Sequence, residues 1–467
     1  MASSKKPQPG ELPARLATFL NQAIRPGQTL LLGLSGGLDS CVLLDLLLRA
    51  RVAAGFHLQA LHVNHGISPN APQWEGFCAE LCASADAPFQ AVRVSVPRDS
   101  GLGLEAAARE ARYAVLLAQP VDAVVLAHHR DDQAETLLLQ LLRGAGVKGL
   151  AAMPPVAQAA SPAFFALTPT LSQGERGFKK WQARPPALLR PLLDVSRAEL
   201  EAYAKAHNLR WIEDESNLDL AFDRNFLRHR IFPELGQRFP ASRATLARAA
   251  GHLAEADGLL REIAAADAQS LVRDGRLDVA GLAAMSEARA KNLLRYWLET
   301  HGAAASSRRL QEIYRQLLHA RAEAQVSIQV EGGTLHRYRG LACFEPRAAT
   351  ANIPPMRWQG EPELIMAGGR LIFTQASGQG LSMAKVEKGG LSVRTRSGGE
   401  RFRPDCRRPN RNLKSLFQLT GLPSWQRQQL PLLYAGDTLV AIPGIGVACD
   451  WQAETEETGL LIEWQAS

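Results

Sequence analysis

No run of about eighteen uncharged apolar residues interrupts the chain, and its opening, MASSKKPQPGELPARLATFLNQAIRPG, lacks the apolar core of a signal peptide. Both absences argue against a membrane or a secretory route, and the expected location is the cytoplasm. The six cysteines, Cys41, Cys78, Cys82, Cys343, Cys406 and Cys449, are scattered over 467 residues without one C-x-x-C pair. They read as reduced thiols. Nor is there a compositional excess that would argue disorder: apolar residues make up 46% of the chain and charged residues 21%. At this length a soluble chain holds roughly two to four domains.

What is present is positive charge, unevenly spread. The whole chain carries +7. Between Lys385 and Arg427 alone, eleven Lys and Arg stand against three Asp and Glu, a larger net charge than that of the entire protein. An excess of this kind favours a polyanionic partner and says nothing about fold.

Four short apolar runs read as strands, ending at Ser35, His65, Val96 and His129. Helical stretches follow them, over Asp39 to Ala54, Gln73 to Ala85, Leu104 to Ala118 and Asp131 to Arg143. Such alternation predicts an α/β fold, doubly wound about a mainly parallel sheet, with ligands at the carboxyl ends of the strands. The stretch from about 156 to 187 is rich in Pro, Ala, Ser and Gln and reads as a long loop. After it, Ser196 and Glu199 form the S-x-x-E pattern of a capping box. The expected domains are 1–235, catalytic, with the loop; 236–350, a small helical domain; and 385–467, a basic α+β module.

Three clusters carry chemistry. In Ser35-Gly36-Gly37-Leu38-Asp39-Ser40 two glycines let backbone N–H groups converge on an oxyanion at a helix start. No lysine follows as in a Walker A loop. Asp39 would instead repel phosphate unless a divalent cation bridges them, which implies Mg2+ bound at Asp39. In AHHRDDQAET, Asp131 and Glu135 share one helix face, Asp132 lies on the neighbouring stripe, and His128 and His129 precede them. Taken alone, HHRDD would also suit a metal-dependent phosphohydrolase. In EAAAREARY, Arg109 and Arg112 either pair with Glu105 on a solvated face or hold a polyphosphate or a nucleotide base.

SGGLDS resembles the pyrophosphate loop of the N-type ATP pyrophosphatases. Together with LHVNHGI, EAAAREARY, AHHRDDQAETLLLQLLRGAGVKGLAAM, WIEDESNLDLAFDRNFLRHRIFPEL and the C-terminal RTRSGGERFRP, it is similar to the tRNA(Ile)-lysidine synthetases over nearly the whole chain. That resemblance implies ATP-dependent transfer of free L-lysine to C2 of the wobble cytidine in a CAU anticodon of tRNA(Ile), through an adenylated cytidine. ATP would lie on Ser35, Gly36, Gly37, Leu38, Asp39 and Ser40, with His62, Asn64, His65, Arg109 and Arg112 around it. Asp39, His128, Asp131, Asp132 and Glu135 are the catalytic candidates, the acids serving a cationic lysine, and one of them or His128 the general base. Arg224, Asn225, Arg228, Arg401, Arg403, Lys414, Trp425 and Arg427 are the candidates for tRNA contact, Trp425 and Phe402 interleaving aromatic surface with charge. A tRNA thiolase on the same loop remains an alternative, with Cys41 as its sulfur chemistry; an RNA-binding module without catalysis would leave the first half unexplained. The oligomeric state stays open, a homodimer included.

Overall fold

A computed structural model describes residues 11–96, 104–158, 185–321, 326–347, 355–366, 369–396, 398–407, 409–419, 427 and 430–466. Two compact units result, one formed by 1–320 with 330–332, the other by 321–329 with 333–467.

The first unit opens with a helix, α1 (Glu11–Ala23), and then alternates strand and helix: β1 (Thr29–Gly33), α2 (Leu38–Ala54), β2 (His57–Asn64), α3 (Ala71–Ser84), β3 (Phe89–Arg93), α4 (Leu104–Leu117), β4 (Ala123–Val125), α5 (Arg130–Leu142). The helices lie within a residue or two of their expected bounds. The strands stop earlier, and this matters: Ser35, His65, His128 and His129 stand beyond the strand ends, at the carboxyl edge. β1 pairs in parallel with both β2 and β4. Successive residues of the pleat feed opposite cores. Leu30, Leu32 and Val125 pack with Val42, Leu43 and Leu46 of α2; Leu31 and Val124 face Tyr113 and Leu116 of α4. Both faces of the sheet are therefore covered, as a parallel sheet requires.

The expected loop over 156–187 begins and ends as strand. β5 (Val156–Gln158) runs antiparallel to β6 (Ala187–Leu189), and β6 joins β4 in parallel, giving the order β3-β2-β1-β4-β6-β5. Three-residue strands are too short to show a period, which is why the sequence hides them; the reading of 159–184 lies outside the described residues. A one-turn helix, α6 (Val147–Leu150), precedes this pair, and α7 (Arg197–Ala206) follows it with both bonds of the Ser196/Glu199 capping box formed. A helical segment over 223–238 leads into α8 (Ser242–Leu271), α9 (Glu287–Thr300) and α10 (Ser307–His319). α8 lies along α5, with Ala250 packed against Leu137.

The second unit is built of antiparallel sheets. Strands over 363–366, 369–377, 458–466 and 381–382 form one, and 356–358, 391–394, 432–435, 438–442 and 446–447 another. Leu371, Leu381, Val393, Leu433, Val440 and Leu460 lie in one core between them. Two expectations are corrected here. Phe402 is 1% exposed and packs with Leu413, Phe417 and Leu432, so it is core and offers no aromatic surface to RNA. Cys406 and Cys449 form a disulfide across 43 residues, leaving Cys41, Cys78, Cys82 and Cys343 as thiols. A pairing this distant in sequence has no spacing signature; the fold brings the two together. Among the described residues no helix is long and apolar enough to cross a membrane.

Candidate active site

The turn after β1 is held by its own backbone. Gly36 has φ +85°, and a Cβ there would come within 3.1 Å of Cys78 Sγ and Ile212 Cδ1; only glycine takes this conformation without strain. Its carbonyl accepts from Ile212 N at 2.9 Å and from Cys41 Sγ at 3.2 Å, which fixes the turn from below. Gly37 is the N-cap of α2 and supplies no side-chain cap. The first N–H groups of α2 thus keep their donor capacity and the positive end of the helix dipole, the requirements of an anion site. Ser35 and Ser40 bond to each other (Oγ to Oγ 3.0 Å), and the Ser40 hydroxyl donates to Gly37 O. Leu38 is buried, so only its backbone is available to a ligand.

Asp39 projects from this turn. Arg197 Nη1 donates to its two oxygens at 2.8 and 3.1 Å, and His129 Nε2 lies 3.7 Å away. Burial raises the Asp39 carboxyl against the opposing pull of His129 and Arg197. His129, absent from the expected site residues, is the hinge of the arrangement. Its Nδ1 accepts from Asp131 N at 3.2 Å as the N-cap of α5, while Asp132 Oδ2 accepts from His129 N at 2.9 Å, a closed capping box. With Nδ1 accepting, the ring proton sits on Nε2, between Asp39 and Asp132 Oδ2 at 3.6 Å. The sequence signal was present in the doubled histidine, but only the cap geometry says which one faces the acids.

The three acids of α5 lie together and each meets an arginine. Arg243 Nη1 bonds Asp131 at 2.9 Å; Arg228 grips Glu135 with Nε and Nη2 at 2.8 and 2.9 Å and reaches Asp132 at 3.3 Å. Glu135 is wholly buried. Burial pushes its carboxyl up against the pull of Arg228, whereas Asp132, despite burial, is driven far below the usual range by the His129 imidazole beside it, by Arg224 and by the N–H it accepts from His129. His128 is held well below an ordinary imidazole, by burial first and then by Arg190 and Arg109, so it stays neutral and is a weak base.

On the β2 side, His62 Nδ1 bonds Leu34 O at 2.9 Å, and the Asn64 side chain bonds Glu75 and Gly66 N. Both were expected on the nucleotide; both are instead occupied in fixing β2 and its following turn, because each is buried and must satisfy its polar atoms within the protein. His65 faces Arg112, 3.4 Å from Nε2 to the guanidinium, and burial with that neighbour lowers it to about 4. Arg109 bonds the Tyr113 hydroxyl at 3.2 Å. Cys41 is buried and its thiol pushed up to about 12, a poor nucleophile.

The expected RNA-facing residues divide. Asn225 is buried, its amide donating to Ser216 O and Asp219 O, and Arg228 is engaged with Glu135 and Asp132. Those two are corrected to internal roles, since a carboxylate buried beside an arginine requires it. Arg224 Nη2 donates to Thr136 Oγ1 at 3.0 Å. In the second unit Arg401 and Lys414 are exposed, and Arg403 bonds Asp450. Arg427 is described, whereas Trp425 lies outside the described residues.

A parallel sheet whose first strand runs through a glycine turn into an uncapped helix, with an acid in the first helical turn, defines an ATP pyrophosphatase of the PP-loop class, and residues 11–235 match the PP-loop domain family. Residues 277–342 match the TilS substrate binding domain and 391–464 the TilS substrate C-terminal domain. The tRNA(Ile)-lysidine synthase of Nitrosomonas europaea is 42% identical over 471 residues, covering 100% of this chain and 98% of that protein. The enzyme of the same name from Coxiella burnetii is 35% identical, covering 97% and 96%. The chain belongs to the tRNA(Ile)-lysidine synthase family.

Proposed function

We propose that the turn and the start of α5 are the two sides of one reaction crevice, in which ATP is cleaved on one side and lysine is held on the other. The protein is an ATP-dependent ligase that forms lysidine; its substrates on this reading are free L-lysine and a tRNA(Ile) with a CAU anticodon, met in the cytoplasm, and its by-products AMP and pyrophosphate. The observation that carries the division of labour is the approach of His129 Nε2 to Asp39, at the start of an uncapped helix, and to Asp132 on α5.

The N–H groups opening α2 would hold pyrophosphate oxygens. Asp39, a carboxylate beside the uncapped helix start, is the residue that would hold Mg2+ there, since that ion needs only one or two protein carboxylates. The metal neutralises charge on the phosphates when bound. Arg197, now on Asp39, would be free to pair with phosphate instead. Opposite, Asp131 accepts from Arg243 through Oδ2, and with Asp132 and Glu135 it would offer its remaining acceptor sites to the lysine amines. The ε-amine must lose a proton to attack C2. Glu135, raised by burial, suits that transfer better than neutral His128 or strongly acidic Asp132. A thiolase is not favoured, because the Cys41 thiol donates to a backbone carbonyl and resists ionisation. A metal phosphohydrolase is not favoured either, since His129 Nδ1 is committed to the cap. Arg401, Arg403, Lys414, Trp425 and Arg427 remain the proposed phosphate and stacking contacts to tRNA, with Arg224 beside the crevice.

The test is Asp39→Asn, assayed with ATP, Mg2+, labelled lysine and an isoleucine tRNA transcript. Lysine incorporation should fall on the order of 10²–10³-fold, with tRNA affinity unchanged. Retained incorporation would remove Asp39 from the metal-bridging role.

A further inference from the structure

Arg190 directly follows β6 at the carboxyl edge of the sheet, next to β4, whose chain leads into His128. It is 2% exposed. Its Nη1 donates to Pro154 O at 2.9 Å, while its Nε is buried with no hydrogen-bond partner. Among the described residues it has no carboxylate partner. Nearby, Arg109 of α4 donates to the Tyr113 hydroxyl and lies over that ring, 5.0 Å from its centroid, with no ion pair among the described side chains. Both cations act on the same buried phenol: burial raises Tyr113, yet the charges of Arg109 and Arg190 outweigh it and leave it below the ordinary range. Two guanidinium groups gathered about one hydroxyl repel each other, and a buried guanidinium without a counter-ion is costly. An arrangement of this kind is stable in use when an anion completes it.

We infer that Arg190, with Arg109, forms a buried subsite for a phosphoryl oxyanion, occupied by the phosphate of the adenylate that leaves as AMP. This rests on the adenylation chemistry proposed above. It separates two anions in space: pyrophosphate on the uncapped start of α2, the adenylate phosphate at the end of β6 beyond His128. The planar fork of arginine suits an oxyanion that must be held while it is transferred to the oxygen on C2, and released as AMP with that oxygen when the lysine amine bonds to C2. The same chemistry could come from a backbone phosphate of tRNA, and the test separates the sources.

The full-length protein and its Arg190→Met variant are compared by thermal unfolding and by equilibrium binding of AMP and of tRNA(Ile). Methionine fills the volume without the charge, so the ligand-free midpoint should be no lower than that of the unaltered protein. AMP affinity should fall about 10- to 100-fold, with tRNA affinity within about twofold. Arg190→Lys should recover part of the loss, which also serves if the methionine variant does not fold. A lowered midpoint with AMP affinity retained makes Arg190 structural and overturns the subsite. Loss of tRNA affinity with AMP affinity retained assigns it to the nucleic acid and overturns the adenylate. Failure of the unaltered protein to bind AMP at all would instead strike the adenylation reading itself.

Discussion

Two helices begin at the same sheet edge and are finished in opposite ways. α2 starts on Gly37 with no side-chain cap, so its first N–H groups keep their donor capacity. α5 starts on His129 with a closed capping box and three acids in its first two turns. A helix start is attractive to anions by default, and here the protein leaves that attraction open at one site and cancels it at the other. On the proposed reading these are an anion side and a cation side, and His129 reaches an acid of each. The difference also explains the arginines. Acids gathered on α5 would repel one another without lysine present, and Arg228 and Arg243 hold them together.

The strongest way to break this contrast is to remove Arg228. Arg228→Ala leaves Glu135 buried without its partner, and unfolding in urea should show a loss of about 3–5 kcal/mol. Adding Glu135→Gln should restore much of it; a single variant as stable as the parent would mean that Arg228 does not hold the acidic side. On the anion side, Gly36→Ala forces a side chain into a left-handed backbone against Cys78 and Ile212. A loss of about 1–3 kcal/mol is expected, with weakened pyrophosphate binding measured by calorimetry. Unchanged pyrophosphate affinity would show that the turn's shape is not what binds it.

Much of this was legible in the sequence because the periodic elements are long. Strand and helix alternation through residue 142 and the capping box at Ser196 follow from local pattern, and the SGGLDS turn announces its own chemistry. Residues whose role depends on distant partners were not legible. Asn225 and Arg228 look like a basic face until Ser216, Asp219 and Glu135 are brought to them. Arg190 closes the short apolar run ALLR, where a single arginine at a strand end gives no period to read. Cys406 and Cys449 pair only because the second unit folds. His62 and Asn64 carry the polar character of a site and the burial of a core, and burial decided.

The smallest effect is the most discriminating, because His129 serves both sides at once. Its Nδ1 caps α5 and its Nε2 lies between Asp39 and Asp132. Alanine removes both functions, and the lost cap alone should cost roughly 0.5–2 kcal/mol. Asparagine keeps an acceptor at a position where it is among the best caps, so stability should return to within about 0.5 kcal/mol of the parent. It cannot extend a donor to both carboxylates. Lysidine formation should therefore stay depressed in His129→Asn although the helix is repaired. If activity returns together with stability, His129 is only a cap, and the link between the anion and cation sides runs through Arg197 and the bound substrates alone.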